Sequence, residues 1–152
     1  MCLIIDTNRA AAVFQRPPQE DFRPLWRWLR SRWGKLVLGG QLANELERVR
    51  AAKDALAELK RSGRTVRVDM EVVTKEALTI KHLCKSNDPF VVALARLTGA
   101  RILCTEDRTL IEDFLNRTLV PSPKGKIYMR QEHRNLLGGP QHGHCRGCRG
   151  SA

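Results

Sequence analysis

The sequence predicts an α/β fold, a three-layer α/β/α sandwich around a central, mainly parallel sheet. Two observations predict it. Short apolar runs at residues 2–5, 36–38, 66–68 and 101–104 have the length of buried strands, and the longer stretches between them carry helical periodicity. Strands that alternate with crossover helices are covered on both faces, so each reads as a continuous hydrophobic run.

The elements follow in order. After the first run, Asp6-Thr7-Asn8 can open a helix to about Gln15, which Pro17-Pro18 then stop, because proline disfavours a helical residue before it and clashes inside a helix. A helix near residues 20–32 carries Phe22, Leu25, Trp26 and Leu29 on one face, and Trp26, Trp28 and Trp33 crowd there as packing or an interface. The clearest amphipathic stretch runs over 40–60, with Leu42, Leu46, Val49, Leu56 and Leu59 on one stripe, and Gly63 ends it. Another helix covers 71–84. A further one starts at Asp88-Pro89, buries Phe90, Val91, Leu94 and Leu97, and closes at Gly99. Residues 107–116 form the last crossover helix, 121–125 a loop, and 127–129 an edge strand. No internal repeat is present.

At 152 residues and 42% hydrophobic, the chain supports one sizeable core. Residues 1–137 form the folded domain. Residues 138–152, GGPQHGHCRGCRGSA, have little to bury and form a flexible basic tail. The apolar start reaches Asp6 too soon for a signal peptide or a membrane span, so a cytoplasmic protein without a membrane partner is expected. Five cysteines are an odd set. Cys2, Cys84 and Cys104 sit in or beside apolar segments as reduced core residues, with no disulfide framework implied.

With 27 Lys and Arg against 16 Asp and Glu, the net charge is +11. Neutralising phosphates releases counterions, so a polyanion, and RNA first among polyanions, is the expected partner.

The chemistry comes from where four acids fall. Asp6 directly follows the first strand, Glu45 lies in the first turns after the second, Asp88 opens the helix leading into the fourth, and Asp107 follows the fourth. In a parallel sheet with helical crossovers all four positions lie at the carboxyl edge. Carboxylates crowded there repel and raise one another's pKa values unless a cation is present. Mg2+ or Mn2+ removes that cost, prefers oxygen ligands, and suits phosphodiester hydrolysis. Each acid also has an ordinary role: Asp6 and Asp107 can cap helices, and Asp88 before Pro89 has an N-cap signature. Glu45 resists that reading, because it borders the apolar stripe whereas Glu47 points away.

LIIDTN, the glutamate of NELER, DPFVVALA and LCTED resemble, in order, the successive motifs of PIN domains, and in particular VapC-type toxin ribonucleases. The likeness covers roughly residues 1–130. It implies an endoribonuclease dependent on Mg2+ or Mn2+, with Asp6, Asp88 and Asp107 as metal ligands and Glu45 binding metal through water or positioning the attacking water. Asn8 and Thr105 match supporting polar positions. The resemblance also implies a homodimer restrained by an antitoxin protein. Pro89 and the His/Cys tail depart from the family's pattern.

Arg9, Arg108 and Arg130 lie near the rim and are candidate phosphate contacts. His133 could serve the site, but a lone histidine on a terminal helix is more often incidental. His142, His144, Cys145 and Cys148 have the ligand types of a Zn2+ site, but all four would have to wrap one ion in a tiny loop, so a basic tail is the simpler expectation. A phosphoryl-acceptor receiver lacks its acidic pair here. A haloacid-dehalogenase-like phosphatase lacks Asp-x-Asp, and no glycine-rich phosphate loop follows any strand. The competing reading from another class is a PIN-like module that binds RNA or protein without cutting.

Overall fold

The computed structural model describes residues 1–138. Five strands form one sheet, β1 (Cys2–Ile5), β2 (Lys35–Gly39), β3 (Thr65–Val68), β4 (Ile102–Cys104) and β5 (Lys126–Ile127), in the order β3-β2-β1-β4-β5. Every pairing is parallel, as the crossover pattern requires. Helices cover both faces, giving the expected three-layer sandwich. Leu3, Ile4 and Ile5 of the central strand have no exposed surface, so this strand is the floor of the core.

The chain leaves β1 toward β2 on one side, while β4 arrives on the other. A crevice between diverging connections therefore opens at the carboxyl ends of β1 and β4. Helix α1 (Thr7–Phe14) starts at that point. The next expected helix begins as a 3-10 turn (Glu20–Phe22) and continues as α2 (Arg23–Leu29), which ends before residue 32. Trp28 is buried there and its indole N–H donates to the Gly138 carbonyl at 3.0 Å, while Trp26 and Trp33 are half-buried against the core.

The stretch expected as one helix over 40–60 is broken. Helix α3 (Gly40–Glu47) stops, a 3-10 turn (Arg50–Ala52) follows, and α4 (Lys53–Arg61) completes the crossover. A continuous helix over these residues would reach about 32 Å, roughly twice the height of the sheet. The break turns the chain back, burying Ala52 against α1. The remaining crossovers are α5 (Met70–Ile80) with a 3-10 turn (Lys81–Leu83), α6 (Pro89–Thr98) and α7 (Arg108–Leu115). Gly99 closes α6 in the left-handed conformation, φ 80°, as its position predicts. Beyond the edge strand, shorter than expected, the terminal turn (Gln131–Leu136) is a 3-10 helix.

The β2–α3 junction depends on glycine. Gly40 has φ 55°, and a Cβ there would meet Val73 Cγ1 at 2.8 Å. Helix α3 thus starts flush against α5, which sets where Glu45 stands. Cys84 and Cys104 are free thiols, Cys104 fully buried. Cys2, expected reduced, is disulfide-bonded. The tail residues His142, His144, Cys145 and Cys148 lie outside the described residues. Among the described residues no helix is long and apolar enough to cross a membrane.

Candidate active site

Asp6 continues the line of β1, its N–H donating to the Cys104 carbonyl at 2.9 Å. That bond fixes the residue beside the end of β4, and its carboxylate is shared between two neighbours. Oδ1 accepts from the Thr7 N–H at 2.8 Å and Oδ2 from the Thr105 hydroxyl at 2.7 Å. Thr105 is itself buried, and its Oγ1 also accepts from the Asp107 N–H at 3.1 Å and from Asn8 Nδ2 at 3.4 Å. A hydroxyl has one proton and two acceptor positions. With both acceptors occupied by N–H donors, the proton goes to Asp6. Asn8 Oδ1 accepts from the Glu106 N–H at 3.2 Å, so the loops after β1 and β4 are stitched together by the two residues expected to support the site.

Glu45, half-buried on α3, is held from two sides. Oε2 accepts from the Thr7 hydroxyl at 2.9 Å, and Oε1 from Gln41 Nε2, one helical turn earlier, at 2.8 Å. Thr7 therefore touches two carboxylates, Asp6 through its N–H and Glu45 through its hydroxyl. Glu47 points away and pairs with Lys60 at 3.0 Å, as the stripe predicts.

Asp107 caps α7: Oδ1 accepts from the N–H groups of Thr109 and Leu110 and from the Thr109 hydroxyl, at 3.0, 3.3 and 2.7 Å. Its Oδ2 has no partner among the described residues. Asp88 differs. Despite its position before Pro89, its side chain caps nothing and accepts no hydrogen bond among the described residues. Its backbone N–H donates to Ser86 Oγ at 3.3 Å.

The electrostatics show that the four acids share one neighbourhood. Partial burial, then the charges of Asp6, Asp107 and Glu45, push the Asp88 carboxyl up to about 6. Burial also raises Asp6, against the hydrogen bonds from Thr105 and Thr7 that lower it, and the charges of Asp107 and Glu45 add to the rise. Every salt bridge among the described residues uses some other acid; none involves Asp6, Glu45, Asp88 or Asp107. In so basic a chain, these four carboxylates form no salt bridge among the described residues. Among the described residues, however, no three acidic, histidine or cysteine side chains are gathered into a ready-made ion site. The four share a field rather than a single coordination centre.

The basic candidates do not reach these acids. Arg9 is ion-paired with Glu106 and lies over the Phe22 ring, 4.8 Å from its centroid, so its guanidinium is already engaged. Arg108 is exposed beside Asp107, and Arg130, also exposed, pairs with Glu132 at 3.9 Å. His133 accepts the Met129 N–H through Nδ1 at 3.1 Å, a local turn contact consistent with an incidental role.

Sequence reasoning missed three contributors. Thr7 and Gln41 orient Glu45, and Gln41 was legible as the residue one turn before it. The third is Asp113, fully buried, whose two oxygens accept from the N–H groups of Lys85 and Ser86 at 2.9 Å each. An acid on the buried stripe of α7, between Leu110 and Phe114, was the available signal. Comparison with protein-family models, characterised proteins and solved structures finds no match to this chain.

Proposed function

We propose that this chain is a metal-dependent endoribonuclease that hydrolyses phosphodiester bonds of RNA in the cytoplasm. One observation carries the reading: four carboxylates at the carboxyl edge of the sheet lie close enough for their charges to raise the pKa values of Asp6 and Asp88, and none of them forms a salt bridge among the described residues of a protein whose net charge is +11. An all-oxygen donor set suits Mg2+ or Mn2+, and the looseness of the cluster suits a cation that keeps several waters and takes one or two carboxylates. The Asp88 carboxylate and Oδ2 of Asp107, which have no hydrogen-bond partner among the described residues, are the groups open to it. Asp6 and Glu45, both hydrogen-bonded, contribute charge and orient water. When bound, the ion would lower the pKa of a water and stabilise charge on the leaving oxygen.

The protein's own contributions can be stated separately. Thr105 and Thr7 hold Asp6 in one orientation, and Thr7 and Gln41 do the same for Glu45. The Asp88 carboxyl, raised to about 6 by burial and the neighbouring acids, holds its proton more readily than an ordinary carboxyl, and a bound cation would favour its ionised form, with the proton released to water. The basic surface concentrates RNA through its phosphates, and exposed Arg108 is best placed to meet a phosphate beside Asp107. The motif resemblance to PIN domains supports the same chemistry. It alone supports a homodimer acting as the toxin of a toxin-antitoxin pair.

The test is cleavage of labelled single-stranded and structured RNAs across a Mg2+ and Mn2+ titration. Asp6→Asn and Asp88→Asn should each lower turnover at least about a hundredfold with the fold intact. Full activity in either variant removes the mechanism. A second reading, from another class, is a PIN-like module that binds RNA or protein without cutting. RNA binding by the wild type with no Mn2+-dependent cleavage would decide for it.

A further inference from the structure

We infer that Asp113 is a positioning residue for Asp88, and that α7 sets the separation between the Asp88 and Asp107 carboxylates. The inference rests on the reading of both as site residues. Asp88 sits in a short connection between the turn after α5 and the start of α6, and its side chain has no hydrogen bond among the described residues. What holds the connection is Asp113. Its Oδ1 takes the Lys85 N–H and its Oδ2 the Ser86 N–H, both at 2.9 Å, and Ser86 Oγ then takes the Asp88 N–H at 3.3 Å. Ser86 is buried with Asp113, so the contact between them, at the centre of this chain, is shielded from water.

The clamp belongs to the same helix that Asp107 caps. From Asp107 to Asp113 the axis rises about 9 Å. One end of this rigid strut carries a site carboxylate, and the other grips the segment that presents a second. Lys85 Nζ adds an exposed tether to the neighbouring Glu112 at 2.8 Å. A carboxylate with two acceptor oxygens can hold two adjacent N–H groups at once. An asparagine cannot, because its amide NH2 would face a donor.

The experiment compares the full-length wild type with Asp113→Asn, Ser86→Ala and Glu112→Gln. Three quantities are read: Mn2+ affinity by calorimetry, kcat and KM on RNA, and backbone amide shifts by NMR without metal. Asp113→Asn should weaken Mn2+ binding and kcat by about tenfold or more, leave KM for RNA within about twofold, and move the amides of residues 85–88. Ser86→Ala keeps the clamp and removes only the last contact, so a few-fold loss is expected. Glu112→Gln should match the wild type.

A folded Asp113→Asn with wild-type Mn2+ affinity and kcat overturns the inference. If Asp113→Asn does not fold, Ser86→Ala decides: loss supports the inference, and wild-type behaviour overturns it. Should the wild type neither bind Mn2+ nor cut RNA, the nuclease reading falls by itself. The positioning role then stands or falls on whether the Asp88 amide moves in Asp113→Asn and Ser86→Ala.

Discussion

Replacing Asp88 by Asn should make the metal-free protein more stable and the metal-loaded protein less so. The carboxyl is raised from its ordinary 3.8 to about 6 by burial and by three neighbouring acids. At about 1.4 kcal/mol per pH unit, that rise corresponds to roughly 3 kcal/mol against the ionised form. Asp88 is only half-buried, and solvent screening halves the figure to about 1.5 kcal/mol. The sign follows from linkage. Between pH 3.8 and about 6 the folded state holds a proton that the unfolded state has lost, so wild-type stability falls as pH rises through this window. Asn escapes the loss. The variant's advantage should be absent below pH 3.8, grow up to about 6, and stay level above it.

Thermal unfolding in a chelator from pH 3.5 to 8 reads this directly, as a gain of about 3–6 °C at neutral pH for a chain of this size. Adding Mn2+ at about a hundred times its dissociation constant should stabilise the wild type by about 2.7 kcal/mol and leave the variant unmoved, reversing their order. A variant no more stable than wild type at pH 8 without metal, or a difference independent of pH, would refute the electrostatic account of the cluster. Equal stabilisation of both by Mn2+ would refute Asp88 as the carboxylate that meets the ion.

Two further substitutions test the supports. Thr105→Val removes the hydroxyl that serves Asp6, Asn8 and the Asp107 N–H, and should cost about 1–3 kcal/mol in urea unfolding, with Thr105→Ser close to wild type. Gly40→Ala places a methyl group 2.8 Å from Val73 Cγ1 in a left-handed backbone conformation. A loss of about 1–3 kcal/mol is expected there, with amide shifts spreading along α3 to Glu45.

The sheet and its carboxyl-edge acids were legible because strand runs and crossover lengths constrain one another. Once residues 2–5 and 101–104 read as parallel neighbours, Asp6 and Asp107 had to end near each other. The break at residues 48–52 was not legible, because Leu46, Val49 and Leu56 keep one helical stripe across it. It answers to the height of the sheet, a quantity no local window contains. The caps divided unexpectedly. Asp107 fulfils the capping pattern, while Asp88, with the stronger signature beside Pro89, makes no side-chain cap. Arg9, expected as a candidate phosphate contact, pairs with Glu106 and lies over the Phe22 ring, partners that no local pattern indicates.

The two central strands that frame the crevice are distant in the chain: Asp6 and Thr105, joined by one hydrogen bond, stand 99 residues apart. During synthesis β1 is made early and must wait, with one flank unpaired, until β4 has left the ribosome. The acidic rim is therefore completed only after β4 and Asp107 have been made. Truncated or stalled chains that stop before β4 carry its first members but never the finished arrangement, so whatever chemistry the rim performs begins only when most of the protein has been translated.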